Sequence, residues 1–329
     1  MGIATMKILL TTTSFQDTPG KHHDLLEASG LDVVRARGPL TEAALLEIIE
    51  EHNGFDGLLN GDDAITARVI DAALAARTPL KVIAKYGIGL DSIDVAHATA
   101  KRIPVLFTPG VNHTTVAEHA FGLMIGLVKH FWVHLSAVKA GKWTRITGNE
   151  LAGKRLAALG MGRIGKEVIK RAVAFDMHTI AFDLYWDEEF ALKYGVERAA
   201  SLEEAIAGAD IVSLHMNLTP ENRGFINSER IARMKEGAII INTARGGLID
   251  EAAVAEACRS GRLGGYGADV LDKEPMVAPH PFQEIDNILI TPHVGSRTFE
   301  SVERQAMRAV KNIVNFLMCD GDFIQANKC

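Results

Sequence analysis

The sequence predicts an α/β protein of two doubly wound domains, each a parallel sheet covered by helices on both faces. Three observations carry that expectation. Short β-branched runs alternate with amphipathic helical patterns, the signature of consecutive βαβ units. The alternation runs in two series, separated by a strongly apolar helical stretch at Thr114–His130. The second series opens on a glycine-rich turn between a strand and a helix pattern.

In chain order, the first series of strands is expected at Lys7–Leu10, Asp32–Val34, Gly57–Leu59, Val82–Ala84 and Val105–Phe107. Helices fall between them, as at Thr41–His52, where Ala44, Leu45, Ile48 and Ile49 share one face. In the separating stretch, Thr114 or Thr115 can cap the helix and Glu118 suits its first turn. Its AFGLMIGLV core cannot face water. It is expected to be buried between domains or against another subunit, and the subunit is preferred because Phe131 and Trp132 extend the apolar surface. The second series runs through Arg155–Leu159, Thr179–Phe182, Ile211–Leu214, Ala238–Asn242, Gly267–Val270 and Ile288–Ile290. A last helix, about Thr298–Leu317, is expected to return the chain to the first domain and make that domain discontinuous.

Composition narrows the function classes. The 329 residues, 47% hydrophobic and 23% charged, fit a soluble globular chain of about two domains. Lys plus Arg is 35 against 41 Asp plus Glu, a net charge of -6, so no basic field exists to hold nucleic acid or an anionic membrane. The longest uncharged apolar run, Ala120–Val128, is far short of a membrane span. The opening MGIATMKILL lacks the basic region and long apolar core of a secretory signal, and Met6 stands where a myristoylation pattern needs Ser or Thr. Cys258, Cys319 and Cys329 share no close spacing, which suits a reducing cytoplasm. His22-His23-Asp24 and the pair His113 and His119 lack partners at ligand spacing, so no metal is expected.

The sharpest local signal is Gly160-Met161-Gly162-Arg163-Ile164-Gly165, between the strand RLAAL and a helix at Lys166–Phe175. The first glycine permits a tight turn, the second lets a pyrophosphate approach the backbone, and the third lets helix and strand pack closely. The next strand ends at Asp183, where a carboxylate binds ribose hydroxyls. Leu184 and Tyr185 follow, with no Arg to receive a 2′-phosphate, so NAD is expected rather than NADP. Three further segments sit at carboxyl ends of expected strands: Asn242-Thr243-Ala244-Arg245-Gly246-Gly247, Asp269-Val270-Leu271-Asp272-Lys273-Glu274-Pro275 and Thr291-Pro292-His293-Val294-Gly295. Singly each is an ordinary loop. Together, behind a nucleotide motif, they point to acid–base chemistry that the cofactor does not itself supply.

In the ordered set GMGRIG, NTARGG, DVLDKEP and TPHVGS, and over nearly its whole length, the chain resembles the D-isomer-specific 2-hydroxyacid dehydrogenases. The resemblance implies a Rossmann NAD-binding domain at 107–296, inserted in a flavodoxin-like substrate-binding domain formed by 1–106 and 297–329. It implies hydride transfer between NAD(H) and a small D-2-hydroxy or 2-keto acid, such as glyoxylate, hydroxypyruvate or a 3-phosphoglycerate-like acid. His293 would be the acid/base, a task suited to an imidazole near neutral pH. Glu274 would orient His293, and Arg245 would hold the substrate carboxylate with a permanently charged fork. Asp269 would sit near the nicotinamide amide. His215, Thr243, Ala244 and Gly295 would complete the cofactor site.

In the first series, Lys85-Tyr86-Gly87-Ile88-Gly89 resembles the family loop whose backbone amides receive the substrate carboxylate. Asn60-Gly61-Asp62-Asp63 is acidic where phosphoglycerate-using members carry an Arg-Ser segment, which argues against a phosphate, although Lys85 could still meet an anion. Asn217, after His215-Met216, replaces the usual proline. Two other readings of the scaffold stand beside the reductase. One is an NAD(H)-sensing regulatory protein, as related corepressors are. The other is a formate- or phosphite-type dehydrogenase, and the formate enzymes have Gln in place of Glu274. A homodimer is expected, from the apolar helix and from family habit.

Overall fold

A computed structural model describes residues 5–329, so residues 1–4 of the opening MGIATMKILL lie outside the described residues. The chain divides into two compact units. One comprises the described residues up to Asn112 together with Arg297–Cys329, and the other is His113–Ser296. Residues 107–112, expected in the second unit, belong to the first. Their backbone is tied there: the Phe107 amide donates to the Ile324 carbonyl, and Thr108 pairs with Gly87.

The first unit holds β1 (Lys7–Leu10), β2 (Asp32–Arg35), β3 (Gly57–Asn60), β4 (Val82–Lys85) and β5 (Val105–Leu106). All pair in parallel, in the order β2-β1-β3-β4-β5, the doubly wound arrangement of flavodoxin-like sheets. The strands alternate between two apolar layers. Leu9, Leu58 and Ile83 pack under the helices Glu42–Glu51 and Ala67–Ala75, while Ile8, Leu10, Leu59 and Ala84 face the helix Phe299–Leu317. Thr298 caps that last helix through the Ser301 amide, and Ala306, Ala309, Val310 and Ile313 bury its apolar stripe.

The second unit holds β6 (Arg155–Leu159), β7 (His178–Phe182), β8 (Glu197–Arg198), β9 (Ile211–Leu214), β10 (Ala238–Asn242), β11 (Leu263–Ala268) and β12 (Ile288–Ile290). Its order is β12-β11-β10-β9-β6-β7-β8, the dinucleotide-binding arrangement with one further parallel strand at the edge. The two-residue β8 carries no apolar pattern and was not foreseen. Strand β11 was expected at Gly267–Val270 and begins earlier, at Leu263. Its sequence LGGYGA hides it, because glycine is depleted in strands.

Those glycines have a packing cause. The helix His113–Val128 lies across β10 and β11 of its own unit, packed against the helix Arg163–Ala174. A Cβ on Gly265 would meet Leu127 at 2.9 Å, and one on Gly267 would meet Leu127, Ile241 and Leu123 at 3.0–3.1 Å. The helix is therefore buried within the unit, and its apolar core is accounted for there rather than by another subunit. It starts at His113, so Thr114 and Thr115 lie inside it. Among the described residues, no single helix is long and apolar enough to cross a membrane.

Replacing Gly267 by Val overpacks this contact and should cost about 1–3 kcal/mol, read as a lower denaturant midpoint at an unchanged slope. An unchanged midpoint would contradict the close packing of helix on strand.

Candidate functional site

The strand ends of the second unit form one row. In register, Phe182 stands beside Leu159, Leu159 beside Leu214, Leu214 beside Asn242, Asn242 beside Ala268, and Ala268 beside Ile290. The next residue on each strand is Asp183, Gly160, His215, Thr243, Asp269 and Thr291. Parallel pairing alone thus gathers six turns along one edge, where open α/β sheets bind ligands.

The turn after β6 is shaped by its glycines. Gly160 has φ +103°, and a Cβ there would lie 2.6 Å from the His215 carbonyl oxygen. A Cβ on Gly165 would lie 2.0 Å from the Gly160 oxygen, so this helix approaches the strand only because both are glycine. The helix begins at Arg163, one turn before the expected Lys166, which places Gly165 inside it. Gly162 is its N-cap and no side chain caps it. A Cβ on Gly162 would touch nothing within 4 Å, leaving open space before first-turn amides and the positive helix end. Arg163 is exposed there and Ile164 half-buried. Asp183 accepts from the Met161 amide and, at 2.7 Å, from the Tyr185 amide, so its carboxylate stands against the turn.

Two polar atoms along this row, His215 Nδ1 and Thr243 Oγ1, are buried without a hydrogen-bond partner. Desolvation pushes the His215 imidazole down to about 4, so it is neutral, and its Nε2 lies 2.8 Å from Ser213 Oγ. Orphaned donors and acceptors, an uncapped helix start and a carboxylate at the β7 end fit the pyrophosphate and ribose of a dinucleotide. Among the described residues, no group of three or more His, Cys, Asp or Glu is placed to hold a metal ion.

The next turns carry the candidate chemistry. Buried Asn242 donates from Nδ2 to the Arg245 carbonyl at 2.9 Å and accepts from the Ala244 amide at 3.1 Å, closing the turn that presents half-buried Arg245. A Cβ on Gly246 would collide with the Leu271 carbonyl carbon at 1.9 Å, so this turn packs directly on the one that leads to Glu274. Glu274 accepts from the Leu271 amide on Oε1 at 2.9 Å and meets His293 Nδ1 with Oε2 at 2.7 Å. Both side chains of that pair are partly exposed, at 36% and 44%. The carboxylate at Nδ1 fixes the orientation of the imidazole ring. Buried Asp269 accepts the Val294 and Gly295 amides at 2.9 and 2.7 Å and the Thr291 hydroxyl at 2.6 Å. The row therefore brings Arg245, Glu274 and His293 onto adjacent turns. Sequence reading gave no positioning role to Asn242 or Thr291, or to His119, whose Nε2 lies 2.8 Å from Thr291 Oγ1.

In the first unit, β4 leads into the loop Tyr86–Gly89. The Tyr86 amide donates to Asn60 and the Gly87 amide to Thr108 Oγ1, both inside the unit. Ile88 is exposed and Gly89 half-buried. Lys85 is not placed to meet an anion. It is 3% exposed, and its ammonium is spent on Asp62 and the Gly61 carbonyl, each at 2.6 Å.

Comparison with known proteins identifies the architecture. Residues 121–295 match the D-isomer specific 2-hydroxyacid dehydrogenase NAD-binding domain. The hydroxypyruvate reductase of Thermotoga maritima is 40% identical over 280 residues, covering 82% of this chain and 90% of that protein. The D-3-phosphoglycerate dehydrogenase of Methanocaldococcus jannaschii is 39% identical over 298 residues, covering 90% of this chain but 54% of that protein, so the chain spans about half of its length. The crystal structure of the TT0316 protein from Thermus thermophilus superposes with a TM-score of 0.87 at 37% identity, over 98% of this chain and 100% of that one. The chain belongs to the D-isomer-specific 2-hydroxyacid dehydrogenase family.

Proposed function

We propose that the protein is an NAD-dependent reductase of a small, unphosphorylated 2-keto acid such as glyoxylate or hydroxypyruvate, giving the 2-hydroxy acid, in the D configuration where C2 becomes a stereocentre. The observation that carries the reading is the 2.7 Å contact of Glu274 with His293 Nδ1, on a turn neighbouring Arg245 and in the row of strand ends that begins at the glycine turn. NAD(H), when bound, supplies or accepts the hydride. Gly160, Gly162, Gly165 and Asp183 hold its pyrophosphate and ribose, and the row from His215 to Gly295 lines the rest of it.

The chain's own work is to bind the acid and move one proton. Arg245 grips the carboxylate and draws charge toward the carbonyl oxygen, which a permanently charged planar fork does well. His293 gives the proton from Nε2 to the carbonyl oxygen as C2 becomes tetrahedral, and takes it back in the reverse reaction. Glu274 keeps the ring oriented and stabilises the protonated form. The preference for an unphosphorylated acid follows from Lys85, whose charge Asp62 already neutralises, and from the acidic Asn60–Asp63 segment beside it.

We also propose a homodimer, on a surface other than the buried helix. After His130 the chain exposes Phe131 (49%), Leu135 (61%), Val138 (53%), Trp143 (77%) and Ile146 (41%) within sixteen consecutive residues. The helix Phe131–Lys139 has no buried residue. A stretch this apolar calls for a partner, and self-complementary pairing of two copies is the commonest solution.

NADH oxidation with glyoxylate, hydroxypyruvate, pyruvate and 3-phosphohydroxypyruvate tests the activity. One of the unphosphorylated acids should turn over best, and His293→Ala should lower kcat by roughly two to four orders of magnitude with NADH affinity kept. NADH binding without turnover would favour a sensor, and unchanged turnover in the variant would remove His293 from the reaction. Sedimentation should show a dimer that Trp143→Glu converts to monomer; a wild-type monomer would refute the pairing.

A further inference from the structure

We propose that His119 is a positioning residue for the reaction: acting through Thr291 and Asp269, it fixes the turn that carries His293. The proposal rests on the reductase reading for its kinetic consequence, and on geometry alone for the turn itself.

The turn Thr291–Gly295 needs an external clamp. His293 sits at φ +52°, a left-handed conformation that side chains avoid, and its amide donates to the Thr291 carbonyl at 3.0 Å. The clamp is Asp269, the residue after β11, which is 4% exposed. It accepts the two amides that follow His293, Val294 on Oδ1 at 2.9 Å and Gly295 on Oδ2 at 2.7 Å. A Cβ on Gly295 would lie 2.8 Å from Oδ2, so carboxylate and backbone meet at the limit that glycine allows. Burial raises the Asp269 pKa, yet the donors from His119, Thr291, Val294 and Gly295 outweigh it and hold the carboxyl below the usual carboxylate range.

His119 enters through the hydroxyl of Thr291. An ionised carboxylate can only accept, so at 2.6 Å the Thr291 hydroxyl spends its one proton on Asp269 Oδ1. Its oxygen is then an acceptor for His119, whose Nε2 lies 2.8 Å away and 3.4 Å from the same Asp269 oxygen. This fixes a proton on His119 Nε2. It also decides between two destinations for the hydroxyl proton, because the Ala268 carbonyl stands 3.4 Å from Thr291 Oγ1 as an alternative. With His119 donating, the hydroxyl stays turned toward Asp269. Without it, the carboxylate loses one aligned donor and the imidazole N–H beside it. The helix that bears His119 is itself pinned to β11 through Leu123 and Leu127 over Gly265 and Gly267, so the donor keeps a fixed height over the clamp.

Full-length protein with His119→Leu, His119→Gln and Thr291→Val tests this, with two readouts. Hydrogen exchange at the Val294 and Gly295 amides should quicken roughly tenfold in His119→Leu and in Thr291→Val. It should stay near wild type in His119→Gln, whose amide can donate from the place of Nε2. On the keto acid that turns over best, kcat should fall roughly tenfold in the first two variants and recover in the third, with NADH affinity unchanged. The double variant should be no worse than the poorer single one, since one chain of bonds is broken twice. Wild-type exchange and kcat in His119→Leu would overturn the proposal, as would equal damage in Leu and Gln, which marks mere packing. If His119→Leu does not fold, Thr291→Val carries the same comparison. A wild type that reduces no acid defeats the reductase reading, while the exchange rates still decide the clamp.

Discussion

The constraint on which the site depends is the parallel register of the second sheet. Pairing Phe182, Leu159, Leu214, Asn242, Ala268 and Ile290 in one row sets the six following residues along one edge. Neighbouring strands stand about 4.8 Å apart, so turns far apart in the chain come within side-chain reach. A slip of one residue on β11 would turn Asp269 to the opposite face of the sheet and remove the acceptor for the Val294 and Gly295 amides. Register is held in turn by the apolar layers on both faces, where Ile239 and Ile241 point to one and Ala238 and Ile240 to the other.

On that frame, each chemical side chain is presented by a buried polar group on its own or a neighbouring strand. Asn242 closes the Arg245 turn, and the Leu271 amide holds Glu274 as Glu274 holds His293. Asp269, through Thr291 and the two amides, fixes the backbone on the other side of His293. Asn242 and Asp269 form their bonds buried, where an unmade partner is costly, so the turns they hold have little freedom to open. Rigid placement of side chains around the substrate is what hydride chemistry asks of a protein, because the reactive bond belongs to the cofactor.

Much of this was legible in the sequence, for physical reasons. Strand ends at Leu159, Leu214, Asn242 and Ile290 coincide with breaks in β-branched runs, and the glycine turn announces its own geometry. Strand β11 was half hidden, since Gly264, Gly265 and Gly267 remove the apolar signal, the first under the Gly237 backbone and the other two to make room for Leu123 and Leu127. The same contact explains why the helix His113–Val128 looked like a subunit interface: its apolar surface has a partner within the unit, on strands more than a hundred residues away. His119 gave no local sign, because its partner Thr291 lies 172 residues on. Lys85 read as a free cation only because its neutralisation by Asp62 is a tertiary fact.

The central claim is that this row of strand ends directs a hydride onto C2 of a small keto acid from one face, with the proton supplied from His293. Following deuterium from NADH carrying deuterium at both C4 positions into the product of hydroxypyruvate tests it most directly. The account predicts one deuterium at C2 of the hydroxy acid, bonded to carbon and in the D configuration. A product without the label, or one of L configuration, would contradict it.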